Sequence, residues 1–137
     1  MATIDPRVQT FMNTLTAMET SKDVGPMVQL FAIGAEVGSI ALRWPRIGVD
    51  GARTFWNDYL SVFQAIRTTF RHVHTAGNLA TLEWISDGKL PGGVSISYQG
   101  ATIVEFESEK ICRLRTYYDS AAFVPDGAKL LGREVEL

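Results

Sequence analysis

Cysteine is almost missing from this chain: Cys112 is the single one among 137 residues. That excludes an intramolecular disulfide framework and any multi-cysteine zinc site. Long apolar runs are missing as well, and none reaches the roughly 18 residues a membrane span requires. From Met1 to Pro6 no basic region leads into an apolar run, so a secretory leader is not expected. Charge of one sign is never concentrated. Residues 1–70 carry six basic against six acidic groups, and residues 71–137 seven against nine. Nothing there grips a phosphate backbone, so no nucleic-acid partner is expected. Repeats, low-complexity tracts and a linker are absent too. The expectation is a cytoplasmic protein with no membrane partner.

What is present suits a packed core. Hydrophobic residues make up 46% and charged residues 20%, with a net charge of -2. The length fits one domain over 1–137, with a core of about 5–123 and a tail over 124–137. Asp5-Pro6 reads as an N-cap followed by proline at the first helical position. Val8, Phe11, Met12, Leu15 and Met18 then form one apolar stripe at helical spacing. A short second helix is expected after Pro26, through Met27, Val28, Leu30 and Phe31. A strand follows over Glu36 to Arg43. Asp50 is expected to cap a third helix in which Ala52, Phe55, Trp56, Tyr59, Val62, Phe63 and Ile66 keep the period to about Thr69.

After that the period becomes two. Strands are expected over Phe70–Ala76, Leu79–Ser86, Val94–Glu107 and Ile111–Tyr118, with a hairpin at Gly77-Asn78. Gly100, midway along the longest segment, suggests a bulge or a sharp bend. From Ser120 the apolar period fades, and Leu130–Leu137 reads as a mobile or partner-bound tail. The order implies an α+β fold in which three helices of the N-terminal half wrap a curved antiparallel sheet. A bent sheet closed by a helix makes a cone whose mouth takes a small molecule.

The chain resembles the nuclear transport factor 2-like fold, and within it the SnoaL-like branch of polyketide cyclases, limonene epoxide hydrolase and ketosteroid isomerase. The likeness rests on Leu30-Phe31-Ala32, Gly48-Val49-Asp50-Gly51, Leu82-Glu83-Trp84 and Lys110-Ile111 leading to Arg115-Thr116-Tyr117-Tyr118-Asp119. It implies a cofactor-free enzyme acting by general acid–base chemistry on an apolar cyclic or carbonyl compound, or alternatively a non-catalytic ligand-binding or dimeric module. The isomerase's tyrosine and base aspartate are matched here by Phe11 and Ser39, which argues against steroid isomerisation. Of the epoxide hydrolase's Arg–Asp–Asp set only a carboxylate remains, at Glu83, with Thr81 and Thr116 at the other positions.

Glu83 stands in a strand otherwise almost free of charge, where desolvation favours an acid–base role. Its other reading is an outward residue paired with Arg113 or Arg115. His72 and His74 share one strand face and suit proton shuttling or simple sheet hydrogen bonding, with no third ligand for a metal. Tyr118 shares parity with Leu114 and Thr116 and suits donation to a carbonyl or enolate oxygen. Asp119 is either a site residue or the cap of the turn at Ser120-Ala121. Phe11, Leu15, Trp56, Tyr59, Trp84, Leu114 and Thr116 are the expected ligand-contacting set. Trp84 and Glu83 have opposite parity, so both face one cavity only where a bulge intervenes. Arg113, Arg115 and Tyr117 fall on the other face, where a homodimer contact is expected.

Overall fold

The structure is a computed structural model that describes residues 3–124. Helix α1 runs Pro6–Ser21, with Asp5 as N-cap accepting from the Arg7 backbone N–H at 2.8 Å. It ends at Lys22, whose left-handed backbone (φ 66°) lets its N–H bond the Met18 carbonyl. A single turn, α2, covers Gly25–Val28. Strand β1 (Phe31–Ser39) leads to the two-residue β2 (Arg46–Ile47) and helix α3 (Gly48–Ser61). Then come β3 (Ala65–Ala76), β4 (Leu79–Lys89), β5 (Ser95–Glu107), β6 (Lys110–Tyr118) and a 3₁₀ turn at Ser120–Phe123.

The six strands form one curved sheet in the order β2-β1-β6-β5-β4-β3. Neighbours are antiparallel except β1 and β6, which run parallel because α3 and the β3–β5 meander lie between them in the chain. The helices pack on its concave face. Val8, Phe11, Leu15 and Met18 from α1 meet Val37, Leu82, Val104 and Leu114 from the sheet in one buried cluster. At the other end Phe63, Ile66, Trp84, Ile96 and Tyr98 form a second. Arg7 clips α1 to the hairpin tips: its guanidinium bonds Asn78 Oδ1 and the Ser108 carbonyl at 2.9 Å each, and lies 4.5 Å over the Phe106 ring.

Four local expectations are corrected. The third helix stops at Ser61 rather than about Thr69, because Phe63 and Ile66 are buried from the turn after it and from β3. Their helical spacing reflects tertiary packing. Asp50 lies in the first turn of α3, where a carboxylate suits the helix dipole, but the cap residue is Ile47. Strand β1 begins at Phe31, with Gly34 (φ 81°) inside a register shift between Phe31 and Glu36.

At Gly100 the fourth expectation, a bulge or a sharp bend, loses its first alternative: the β4–β5 register runs through it unbroken, with Trp84 directly opposite. Glycine is needed there because a Cβ would stand 2.2 Å from the Tyr117 carbonyl oxygen and 2.8 Å from the Trp84 ring. The β3–β4 shift falls instead between Phe70 and His72, and the β5–β6 shift between Glu105 and Phe106. The expected tail from residue 125 onward lies outside the described residues. Among these, no helix is long and apolar enough to cross a membrane.

Candidate functional site

Between α1, α3, the segment joining β1 to β2 and the concave face of β4–β6 lies a cavity of about 270 Å³. That is close to the lower end of the roughly 300–1,000 Å³ typical of small-molecule sites. Strand parity decides which side chains line it. Trp84, Gly100 and Tyr118 make one rung across β4, β5 and β6, and Leu82, Thr102 and Thr116 the next. All of these even-numbered residues point inward. Phe11 and Leu15 from α1, with Phe55, Trp56 and Tyr59 from α3, close the opposite wall.

Aromatic rings make most of that surface. Trp56 meets Phe55 and Tyr59 edge-on, with centroids 5.0 and 5.7 Å away. Tyr98 packs edge-on against Trp84 (5.4 Å), Tyr118 (5.8 Å) and Phe123 (4.8 Å). Such walls favour flat apolar rings by area burial and edge-to-face contact.

Two polar clusters interrupt the apolar lining. In one, the Trp84 indole donates to Thr102 Oγ1 at 2.9 Å, and Thr102 shares a 3.0 Å bond with Thr116. The other is anchored on Glu19, a carboxylate only 5% exposed behind the cavity wall. Its Oε1 accepts from the Thr68 backbone N–H at 2.9 Å. Its Oε2 accepts from the Tyr59 hydroxyl at 2.5 Å and from Thr68 Oγ1 at 2.6 Å. These three bonds offset the cost of burying the carboxylate. Thr68 Oγ1 in turn shares a 2.7 Å bond with Ser86, which stands opposite Tyr98 in the ladder. Burial first, then the Glu19 charge, pushes the Tyr59 and Tyr98 hydroxyls well above the ordinary tyrosine value, so both stay protonated.

At the mouth, Arg46 and Asp58 pair at 3.4 Å; among the described residues they are the charged side chains on the cavity wall.

The expected ligand-contacting residues Phe11, Leu15, Trp56 and Tyr59 all line this cavity, as do Trp84, Leu114 and Thr116. Tyr118 joins them. The remaining expected catalytic residues do not. Glu83 is exposed on the convex face, opposite His72 on one side and Ala101 on the other. His72 and His74 are exposed on that same face. Glu83 does not pair with the arginines either. Glu105 takes them, at 2.6 Å from Arg115 and 3.6 Å from Arg113, and Arg113 also reaches Glu36 at 3.4 Å. The reason is register: Glu105 stands directly opposite Arg113, whereas Glu83 shares its rung with Ala101 and Tyr117. Asp119 caps the 3₁₀ turn, accepting from the Ala121 N–H at 3.1 Å.

Glu19, Thr68, Ser86, Tyr98 and Thr102 are not among the residues that the sequence pattern points to. Ser86, Tyr98 and Thr102 share inward parity with Trp84 and Val104, which was readable. Glu19 lies four residues after Leu15 on the apolar stripe of α1, a position where a carboxylate is out of place unless it is bonded.

Comparison with known proteins bears on the fold and the family. No curated protein matches the chain. A protein of Catenulispora acidiphila DSM 44928 with a ketosteroid isomerase-like fold, solved in complex with trimethylamine, is 18% identical. The match covers 88% of this chain and 90% of that one, with a TM-score of 0.75. TerC co-crystallised with polyporic acid matches at 14% identity over 87% and 95% of the two chains, with a TM-score of 0.74. A putative SnoaL-like polyketide cyclase from Jannaschia sp. CCS1 matches at 14% identity over 91% and 99%, with a TM-score of 0.73. At such identities the likeness is one of fold. The SnoaL-like domain family itself matches residues 8–114, and the chain belongs to that family.

Proposed function

We propose that this protein binds a small, largely apolar ring compound carrying oxygen functions in the cone between α1, α3 and the sheet. The observation that supports it is the aromatic cavity walled by Trp56, Tyr59, Trp84, Tyr98 and Tyr118, with hydroxyls, the unpartnered Trp56 indole N–H and the Arg46–Asp58 pair as polar points in it. Tyr118 and Thr116 sit where they can donate to a carbonyl oxygen. The test is a calorimetric titration with β-tetralone, comparing the protein with Leu114→Trp, which fills the cavity from β6. Saturable binding that the substitution abolishes supports the reading. Binding unaffected by it contradicts the reading.

One observation favours a catalytic role in addition. Asp58 is the carboxylate on the cavity wall, among the described residues. With its side chain 64% exposed it is accessible as a base at the mouth, while Tyr118 steadies the oxyanion. In this reading Asp58 abstracts a proton next to a ring carbonyl whose oxygen Tyr118 meets. Exchange of the β-tetralone ring protons with deuterated water, followed by proton NMR, reads it directly. Protein-catalysed exchange that drops by about 10²-fold in Asp58→Asn supports the role. Equal exchange in the variant removes it.

The convex face is proposed as a homodimer contact. Tyr117 is 47% exposed there, beside the Arg113–Glu105–Arg115 ion pairs. Light scattering giving twice the 15.1 kDa chain mass supports it, and the monomer mass at micromolar concentration contradicts it.

A further inference from the structure

Glu19 determines the direction of every hydrogen bond in its cluster. A carboxylate has no proton to give, so all its partners must donate to it. The Tyr59 hydroxyl spends its single proton on Oε2, and so does Thr68 Oγ1. With its proton spent, Thr68 can only accept from Ser86, so the 2.7 Å contact between them runs from Ser86 to Thr68. Tyr59, Thr68 and Ser86 all line the cavity. What these three turn toward it is therefore lone pairs, and the neighbouring Tyr98 hydroxyl, which also keeps its proton, has Ser86 as its acceptor. The raised proton affinity of Tyr59 agrees with a hydroxyl that keeps its proton and donates it inward.

The geometry points to a ligand class: the side of the cavity backed by Glu19 selects a molecule that presents a hydroxyl donor there, and disfavours a carbonyl or ether at the same place. Glu19 is the specificity-determining residue, acting through Tyr59 and Thr68 without touching the ligand. This rests on the cavity being the binding site.

Glu19→Gln reverses the pattern with almost no change of shape. The Thr68 N–H still needs an acceptor, so the amide oxygen takes the place of Oε1. The amide N–H₂ then stands where Oε2 stood, against the Tyr59 and Thr68 hydroxyls. Both hydroxyls must accept, and their protons are released toward the cavity and Ser86.

The experiment compares three probes of one ring size, β-naphthol, β-naphthyl methyl ether and β-tetralone, by titration calorimetry on the intact protein. The natural sequence is expected to bind the naphthol about 10-fold or more tighter than the other two, the usual margin of a hydrogen bond that the analogue leaves unmade. Folded Glu19→Gln is expected to bring the three affinities together, with the tetralone gaining. Tyr59→Phe, which keeps the ring and loses the oxygen, is the second variant. It is expected to weaken the naphthol and leave the ether unchanged. Equal binding of all three probes by the natural sequence overturns the inference while leaving the cavity as the site. A preference that survives both variants also overturns it. No binding of any probe overturns both readings together.

Discussion

Glu83 and Trp84 are neighbours in the chain and lie on opposite sides of the sheet. Trp84 is 8% exposed on the cavity wall, and Glu83 stands in solvent between His72 and Ala101. One step along the β-pleat separates a residue on the concave cavity wall from one on the convex face, where Glu83 borders a shallower hollow with Tyr117 and Asp119. Glu83→Gln and His72→Ala are therefore expected to leave probe affinity and proton exchange within about twofold of the natural protein, as surface changes away from special features do. Tyr118→Phe removes a hydroxyl from the cavity wall and is expected to weaken β-tetralone by roughly 5- to 10-fold. Calorimetry together with proton-NMR exchange on the three variants checks both halves. A large loss in Glu83→Gln would return the acid–base role to the convex face.

Gly100→Ala tests the rung itself. The added Cβ meets the Tyr117 carbonyl and the Trp84 ring at once, both at less than 3 Å. Backbone cannot yield as a flexible side chain can, so the variant is expected to lose about 1–3 kcal/mol. Thermal melting measures it. A melting temperature equal to that of the natural protein would mean that Trp84 does not cover Gly100.

Alkaline pH probes the Glu19 cluster. The hydroxyls of Tyr59 and Tyr98 hold their protons more tightly in the folded state than in the unfolded chain. Their contribution to stability is complete below the unfolded tyrosine value of about 10, and it is lost as pH rises above it. Tyrosinate absorbance from these two side chains is expected to appear together with loss of circular dichroism. Tyr59→Phe should make stability fall less steeply with pH above about 10, since one fewer proton is released on unfolding. An unchanged slope would contradict a buried, carboxylate-bonded Tyr59.

Periodicity made the sheet and α1 readable, because alternation and helical spacing report directly which side is covered. It misread the end of α3, where Phe63 and Ile66 happen to continue a helical spacing from non-helical backbone. The cavity-lining residues were legible from parity: Trp84, Leu114, Thr116 and Tyr118 all follow from which side of β4 and β6 faces the helices. The chemistry was less so. A lone glutamate in an apolar strand looked desolvated, but Glu83 is on the solvent side, and the carboxylate that is buried sits on α1. Its partners, Tyr59 and Thr68, lie 40 and 49 residues away in the chain. No local pattern reports such a pairing.

The proposed function places the small molecule in the concave cavity. Methyl NMR during a titration with β-naphthol addresses it most directly. The methyl signals of Leu15, Leu42 and Leu114, on the cavity wall, are expected to shift and saturate together. Those of Leu79 on the β3–β4 hairpin and Ile33 at the exposed edge of β1 are expected to stay in place. Saturating shifts at Leu79 or Ile33, with Leu15 and Leu114 unmoved, would contradict the account.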